Sequence, residues 1–145
     1  MRVVERVVTS ASPEFVWQVL SDVEHWPDWT STVIAIKSLG NSRMERGARY
    51  RVVQPKLRPA IYEVTEYVPN QRFIWEQKLP GGALVADHRL TSRDGATEVE
   101  LSFESQGLLA NVVATVFSKM IAQYVATEAR SLKAYCDAQS HQRAS

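Results

Sequence analysis

Apolar positions along this chain change their spacing twice, and each change predicts a switch in backbone type. Arg2 to Thr9 alternates weakly and is rich in valine, which predicts a first strand. Ser12-Pro13-Glu14 then reads as a helix start: a hydroxyl N-cap, a proline at the first helical position and an acid in the first turn. Phe15, Val16, Val19 and Leu20 supply the apolar face of that short helix. Asp22 is placed to cap a second short turn from Val23 to Trp26, which Pro27 is expected to interrupt.

Period-two spacing dominates next. Strands are predicted over 32–39, 48–54, 60–68, 71–79, 83–92 and 97–105. Polar turns at 40–47, a break at Pro55 to Pro59, Pro69-Asn70, Pro80-Gly81-Gly82 and Asp94-Gly95 separate them. After Gly107 the spacing lengthens to three and four. Leu109, Val112, Val113, Val116, Phe117, Met120, Ile121, Tyr124, Val125, Glu128 and Leu132 predict one long helix of about thirty residues, or about 45 Å. The order is strand, two short helices, six consecutive strands and a long helix. Hairpin-linked strands form an antiparallel meander, and helices on one face make an α+β fold.

Alternation also sorts side chains onto faces. Val99, Leu101 and Phe103 share the face that must meet the long helix. Leu84, Ala86, His88 and Leu90 are in phase with one another, as are Phe73, Trp75 and Gln77, and Tyr50, Val52 and Gln54. In the strand 60–68, Tyr62, Val64 and Glu66 oppose Ile61, Glu63, Thr65 and Tyr67, and alternation alone leaves the inward set open.

Composition narrows the functions. The chain has 145 residues, 45% hydrophobic and 23% charged, which is one globular domain with enough chain for a core of its own. Lys and Arg number 17 against 16 Asp and Glu, a net charge of +1 that disfavours a nucleic-acid partner. One cysteine, Cys136, permits no internal disulfide and suits a reducing cytoplasm. Glu5 and Arg6 interrupt any apolar leader, and no signal peptide is expected. Leu108 to Ala126 approaches membrane-spanning length, but Asn111, Ser118, Lys119, Gln123 and Tyr124 recur through it, so an amphipathic helix fits better than an integral membrane span. The domain is expected over 1–139, with a polar tail at 140–145.

The segments Thr9-Ser10-Ala11-Ser12-Pro13-Glu14-Phe15-Val16-Trp17 and Leu20-Ser21-Asp22-Val23-Glu24-His25-Trp26-Pro27-Asp28-Trp29 carry a family likeness, with Tyr62 to Trp75 and Gly95-Ala96-Thr97-Glu98-Val99 adding to it. On these the chain resembles the START/Bet v 1-like (SRPBCC) superfamily, in its polyketide cyclase/dehydrase-like branch, from about Val3 to Tyr135. The resemblance implies a helix-grip fold, a curved seven-stranded antiparallel sheet wrapped around a long C-terminal helix. It also implies a cavity between them that holds a lipid, polyketide, quinone or similar apolar molecule. Such folds host carriers and enzymes alike.

The expected lining of that cavity is Trp26, Trp29, Tyr50, Val52, Gln54, Tyr62, Phe73, Trp75, Gln77, Leu84, Ala86, His88, Leu90, Leu101, Phe103, Phe117, Met120 and Tyr124. Polar handles among apolar walls suit a small-molecule site, and Glu66 is a further candidate. The competing reading is that these side chains simply fill a core. His88 is the candidate for acid–base chemistry, against a neutral buried histidine held by a hydrogen bond. Trp26 and Trp29 read either as a gate or as a lid packed on the sheet. His25, His88 and His141 lack metal-ligand spacing, and no phosphate-binding glycine loop, nucleophile elbow or cofactor motif occurs. Three functions remain: a binder or carrier of an apolar molecule, favoured; a cyclase, aromatase or dehydratase; and a protein-interaction module using the outward Arg49 and Arg51. A homodimer is left open.

Overall fold

The structure is a computed structural model and describes residues 1–41 and 43–144, with the side chains of 141–144 left aside. Strand β1 (Arg2–Thr9) leads into helix α1 (Pro13–Ser21), where Ser12 Oγ accepts from the Phe15 N–H at 3.2 Å and so caps the helix. A 3-10 helix, Val23–Asp28, follows. Pro27 does not end it, because the Trp29 and Thr30 N–H groups both donate to the Trp26 carbonyl and close the turn around the proline. Asp22 does not cap it either, since its carboxylate takes the His25 Nδ1 at 2.9 Å.

Six strands complete the sheet: β2 (Ala35–Ser38), β3 (Arg49–Val53), β4 (Ala60–Val68), β5 (Arg72–Leu79), β6 (Gly82–Arg93) and β7 (Ala96–Gln106). All pairs are antiparallel, in the order β1-β7-β6-β5-β4-β3-β2. The expected meander is present, and β1 returns to pair with the last strand. β2 is shorter than the predicted 32–39. Thr30 Oγ1 takes the Thr32 N–H at 3.2 Å, a local bond that competes with strand pairing. The turn expected over 40–47 includes residue 42, outside the described residues.

The C-terminal helix is not one rod. Helix α2 (Leu108–Val116) and helix α3 (Ser118–Ala144) meet at Phe117 at an angle of 78°. Phe117, at φ −100° and ψ 17°, leaves the helical region. The Thr115 hydroxyl donates back to the Asn111 carbonyl at 2.7 Å, a local bond that favours bending. Packing accounts for the rest: α2 lies on β6 and β7, whereas α3 runs across β7 and β1. At 1.5 Å per residue α3 is about 40 Å long. Among the described residues no single helix is long and apolar enough to cross a membrane. Of the polar tail expected from Ser140, the backbone continues α3 to Ala144, and the remainder lies outside the described residues.

The core sits between the sheet's concave face, α1 and the C-terminal half of α3. Val16, Leu20, Phe73, Val99, Leu101, Ala129, Leu132 and Cys136 are all buried there. Small residues at Ala129 and Cys136 let that half of α3 press close to the sheet. One close approach fixes the other end. A Cβ on Gly82 would stand 1.9 Å from the Gln106 carbonyl oxygen, and Gly107 has φ +95° with the Gly81 carbonyl 2.5 Å from its Cβ position. The β5–β6 turn and the β7–α2 junction can meet only because both lack side chains.

Candidate ligand cavity

The N-terminal half of α3 stands away from the sheet where its C-terminal half does not. The gap is a cavity of about 580 Å³. Its floor comes from the inward phase of the strands: Val52 and Gln54 at β3, Tyr62 on β4, Trp75 and Gln77 on β5, Leu84, Ala86 and His88 on β6, and Leu101 and Phe103 on β7. Its roof is Val113 of α2, Phe117 at the bend, and Met120, Ile121, Tyr124, Val125 and Glu128 of α3. Trp26 adds to the wall. The β3–β4 connection contributes Lys56, Leu57 and Arg58. Lys56, Arg58 and Phe117 are exposed, so the mouth lies between that loop and the bend. An opening is expected near Trp26, Trp29 and the start of the long helix, and it is the helix end of that expectation, at Phe117, that is exposed.

Four residues expected in the lining are elsewhere. Trp29 packs on Trp26 with ring centres 5.4 Å apart, and Trp26 faces the cavity in its place. Trp26 itself is only 2% exposed and donates its indole N–H to the Leu20 carbonyl at 2.9 Å, so it is a fixed wall and not a gate. Tyr50 is buried against Trp75, 5.9 Å between centres. Phe73 lies fully buried against His88, and Leu90 belongs to the packed core. Tyr50, Phe73 and Leu90 all have the right strand phase. What separates core from cavity is how closely the helices press, which alternation does not encode.

Glu66 is a second correction. The β4–β5 register shifts between Val64 and Glu66, so an extra residue enters the strand and its alternation flips. Val64 is buried, and beyond the bulge Tyr67 joins the core while Glu66 turns outward. There it takes Arg72 at 3.2 Å, and Arg72 also grips Asp87 through two hydrogen bonds of 2.9 and 3.1 Å. Glu66 is part of an outer-face ion network.

His88 is 3% exposed and stacks on Phe73 at 4.1 Å with planes 13° apart. Its Nδ1 lies 3.2 Å from the Phe73 carbonyl oxygen. A carbonyl can only accept, so Nδ1 carries the proton and Nε2 carries the lone pair. Burial lowers its pKa to about 4, against the smaller opposite pulls of the Phe73 carbonyl and Asp87. The ring is neutral at physiological pH.

Glu128 lines the cavity and has no counterpart in the expected site. Its Oε2 accepts from Thr32 Oγ1 at 3.2 Å. Burial raises its pKa to about 7, although the Thr32 hydroxyl pulls the other way. Tyr62 is raised to about 12, first by burial and then by the charge of Glu128. Glu128 lies in the three–four stripe of the C-terminal helix, at a position where apolar residues are the rule. That break in the stripe is the signal by which the sequence could have marked it. Tyr124, an expected lining residue, donates its hydroxyl to the Pro55 carbonyl and so ties α3 to the loop at the mouth. Among the described residues no group of three His, Cys, Asp or Glu could hold a metal ion.

Leu108, Leu109, Val112 and Val116 on α2 are exposed. Ala110 and Ala114 are the residues that α2 buries, so its larger apolar side chains face out.

A family profile described as polyketide cyclase / dehydrase and lipid transport matches residues 1–137. The chain belongs to that family. Solved structures share its fold. TTHA0849 from Thermus thermophilus superposes with a TM-score of 0.76 at 16% identity, covering 97% of this chain and 99% of the other. The hypothetical protein jhp0584 from Helicobacter pylori gives 0.77 at 16% identity, covering 94% and 88%. The di-domain aromatase/cyclase StfQ from the steffimycin biosynthetic pathway gives 0.72 at 8% identity, covering 97% of this chain and 51% of that one. At these identities the likeness is one of fold. No curated protein matches the chain.

Proposed function

We propose that the protein binds or carries an apolar small molecule in the cavity between the sheet and helices α2 and α3. The observation that carries this reading is the cavity itself: about 580 Å³, walled by Trp26, Trp75, Leu101, Phe103 and Phe117, with a few polar groups set among them. A volume in this range with mostly apolar walls is the usual form of a small-molecule site. Family membership supports a lipid or polyketide-like ligand. The single thiol Cys136 is buried and pushed up to about 12 by burial, so it is inert and fits a cytoplasmic setting without taking part in chemistry.

A second reading, cyclisation or dehydration in the same cavity, is favoured by one observation. Glu128 supplies a second ionisable group on the wall opposite the strand that carries His88. Against it, a histidine with a pKa of about 4 is a poor proton acceptor near neutrality. Binding is therefore the stronger reading. The outer-face arginines support an interaction role less well, since Arg49 already lies 3.9 Å from Glu63.

Native mass spectrometry of the purified protein, followed by extraction, tests the proposal. A copurified apolar molecule, displaced by Nile red with blue-shifted emission, is the expected result. A bare mass together with no Nile red response would overturn it.

A further inference from the structure

The cavity's polar groups are not equivalent, because several have already committed their protons. The His88 Nδ1–H is used on the Phe73 carbonyl, leaving Nε2 as an acceptor. The Tyr124 O–H is used on the Pro55 carbonyl, leaving oxygen lone pairs. The Thr32 O–H is used on Glu128 Oε2, and the Thr30 hydroxyl in turn lies 2.9 Å from Thr32 Oγ1. Thr30 and Thr32 are both buried, so this chain holds the Glu128 carboxyl from behind.

Glu128 Oε1 is left without a partner. The ion pairs of the described residues all lie elsewhere, and no Lys, Arg or His reaches this carboxyl. Nor is it sealed from the cavity it lines. Tyr62, Gln54 and Gln77 can still donate or accept, so they do not select a ligand's polarity. The cations that line the cavity, Lys56 and Arg58, stand on the loop whose Pro55 carbonyl takes the Tyr124 hydroxyl, and neither forms an ion pair with Glu128.

A ligand group that reaches Glu128 must satisfy that oxygen. A second anion there would meet like charge in an apolar enclosure, which is strongly unfavourable. A ligand oxygen that can only accept finds a donor there only when the carboxyl is protonated. A hydroxyl or a protonated amine fits either state. We propose that Glu128 Oε1 is the recognition point for a hydrogen-bond donor, an O–H or N–H group, on the otherwise apolar ligand of this cavity. His88 Nε2 offers a second acceptor on the floor. The inference rests on the binding reading and names the chemical class of ligand it admits.

Four probes on one skeleton separate the cases: 1-pyrenemethanol, 1-pyrenemethylamine, 1-methylpyrene and 1-pyrenecarboxylate. Trp26 and Trp75 line the cavity, so energy transfer from tryptophan to pyrene reports binding. The alcohol and the amine should bind about tenfold tighter than 1-methylpyrene, the scale of one hydrogen bond to a charged or buried group. Glu128→Ala should erase that preference, with an unchanged far-UV circular dichroism spectrum and a cooperative melt showing that the variant is folded. Glu128→Gln distinguishes the two donors: an amide oxygen still accepts from the alcohol but has lost the charge that holds the amine. The carboxylate should bind the native protein most weakly of the four and should gain affinity in both variants, which remove the like charge. Equal affinities in the native protein, or a donor preference that survives Glu128→Ala, would overturn this inference alone. Failure of all four pyrenes to bind would overturn the binding reading with it.

Discussion

Burial shifts the pKa values of His88 and Glu128 in opposite directions but with the same sense, which is to favour the neutral form of each. For His88 the folded pKa is about 4 and the ordinary value 6.5. The unfolded chain therefore takes up a proton first as pH falls, and stability declines between about pH 6.5 and 4. Histidine ring nitrogen shifts should show the Nδ1–H tautomer at pH 7 and no protonation until well below pH 5. A ring that titrates near 6.5 would contradict the buried stack on Phe73.

Glu128 has the opposite dependence. Its unfolded value is 4.5 and its folded value about 7, so ionisation favours the unfolded chain as pH rises through that interval. Glu128→Gln should remove this dependence. Denaturant melts at pH 8 should find the variant more stable than the native protein by about 1–3 kcal/mol, and at pH 4 nearly equal to it. His88 was legible from strand phase alone, because alternation put a histidine among Leu84, Ala86 and Leu90. Glu128 was visible only as one acid in an apolar helical stripe, and its burial depends on a threonine 96 residues earlier.

Elements behaved much as their periodicity predicts, and the exceptions share a cause. β4 acquired a bulge that reversed the face of Glu66, and the C-terminal helix bent by 78° at Phe117. Neither interrupts the local apolar pattern enough to be read from it. Both depend on partners distant in sequence: β5 for the bulge, and the sheet beneath α2 and α3 for the bend. The Gly82–Gly107 approach is the same kind of feature. Gly82→Ala should destabilise the fold by about 2 kcal/mol or more in chemical denaturation, because the displaced group is Gln106 backbone and cannot rotate away. Gly40→Ala, where nothing lies within 4 Å, should be nearly neutral.

The whole molecule is tied together across its ends. Asp137 near the end of α3 accepts from Thr9 Oγ1 at 2.6 Å and the Ser10 N–H at 3.0 Å, while Lys133 donates to its other oxygen at 2.6 Å. Burial alone would raise its pKa, but these bonds together lower it to about 2 from 3.8. The stabilisation is present above about pH 4 and is lost as pH falls toward 2. Asp137→Asn should therefore lower Tm at pH 7 by several degrees, with the gap to the native protein closing toward pH 2. The cavity offers a separate test at this scale. Ala86→Trp projects a large side chain from the floor of the cavity, and should abolish Nile red binding while leaving Tm equal or higher. Unchanged dye binding would place the dye somewhere other than this cavity.

Residue order alone determined the strand and helix types, the Ser12 cap, the antiparallel meander and most of the inward faces, because these follow from local periodicity and turn chemistry. It also set a near-neutral net charge and a single cysteine, which permits no internal disulfide. Tertiary structure decided which inward residues are core and which are cavity, since that depends on where α3 touches the sheet and where it stands away. It set the bulge that turned Glu66 outward and the bend at Phe117. It also brought Glu128 onto the buried Thr30–Thr32 pair. Side-chain phase is a property of a few consecutive residues, whereas enclosed volume and buried charge are properties of elements meeting across the whole chain.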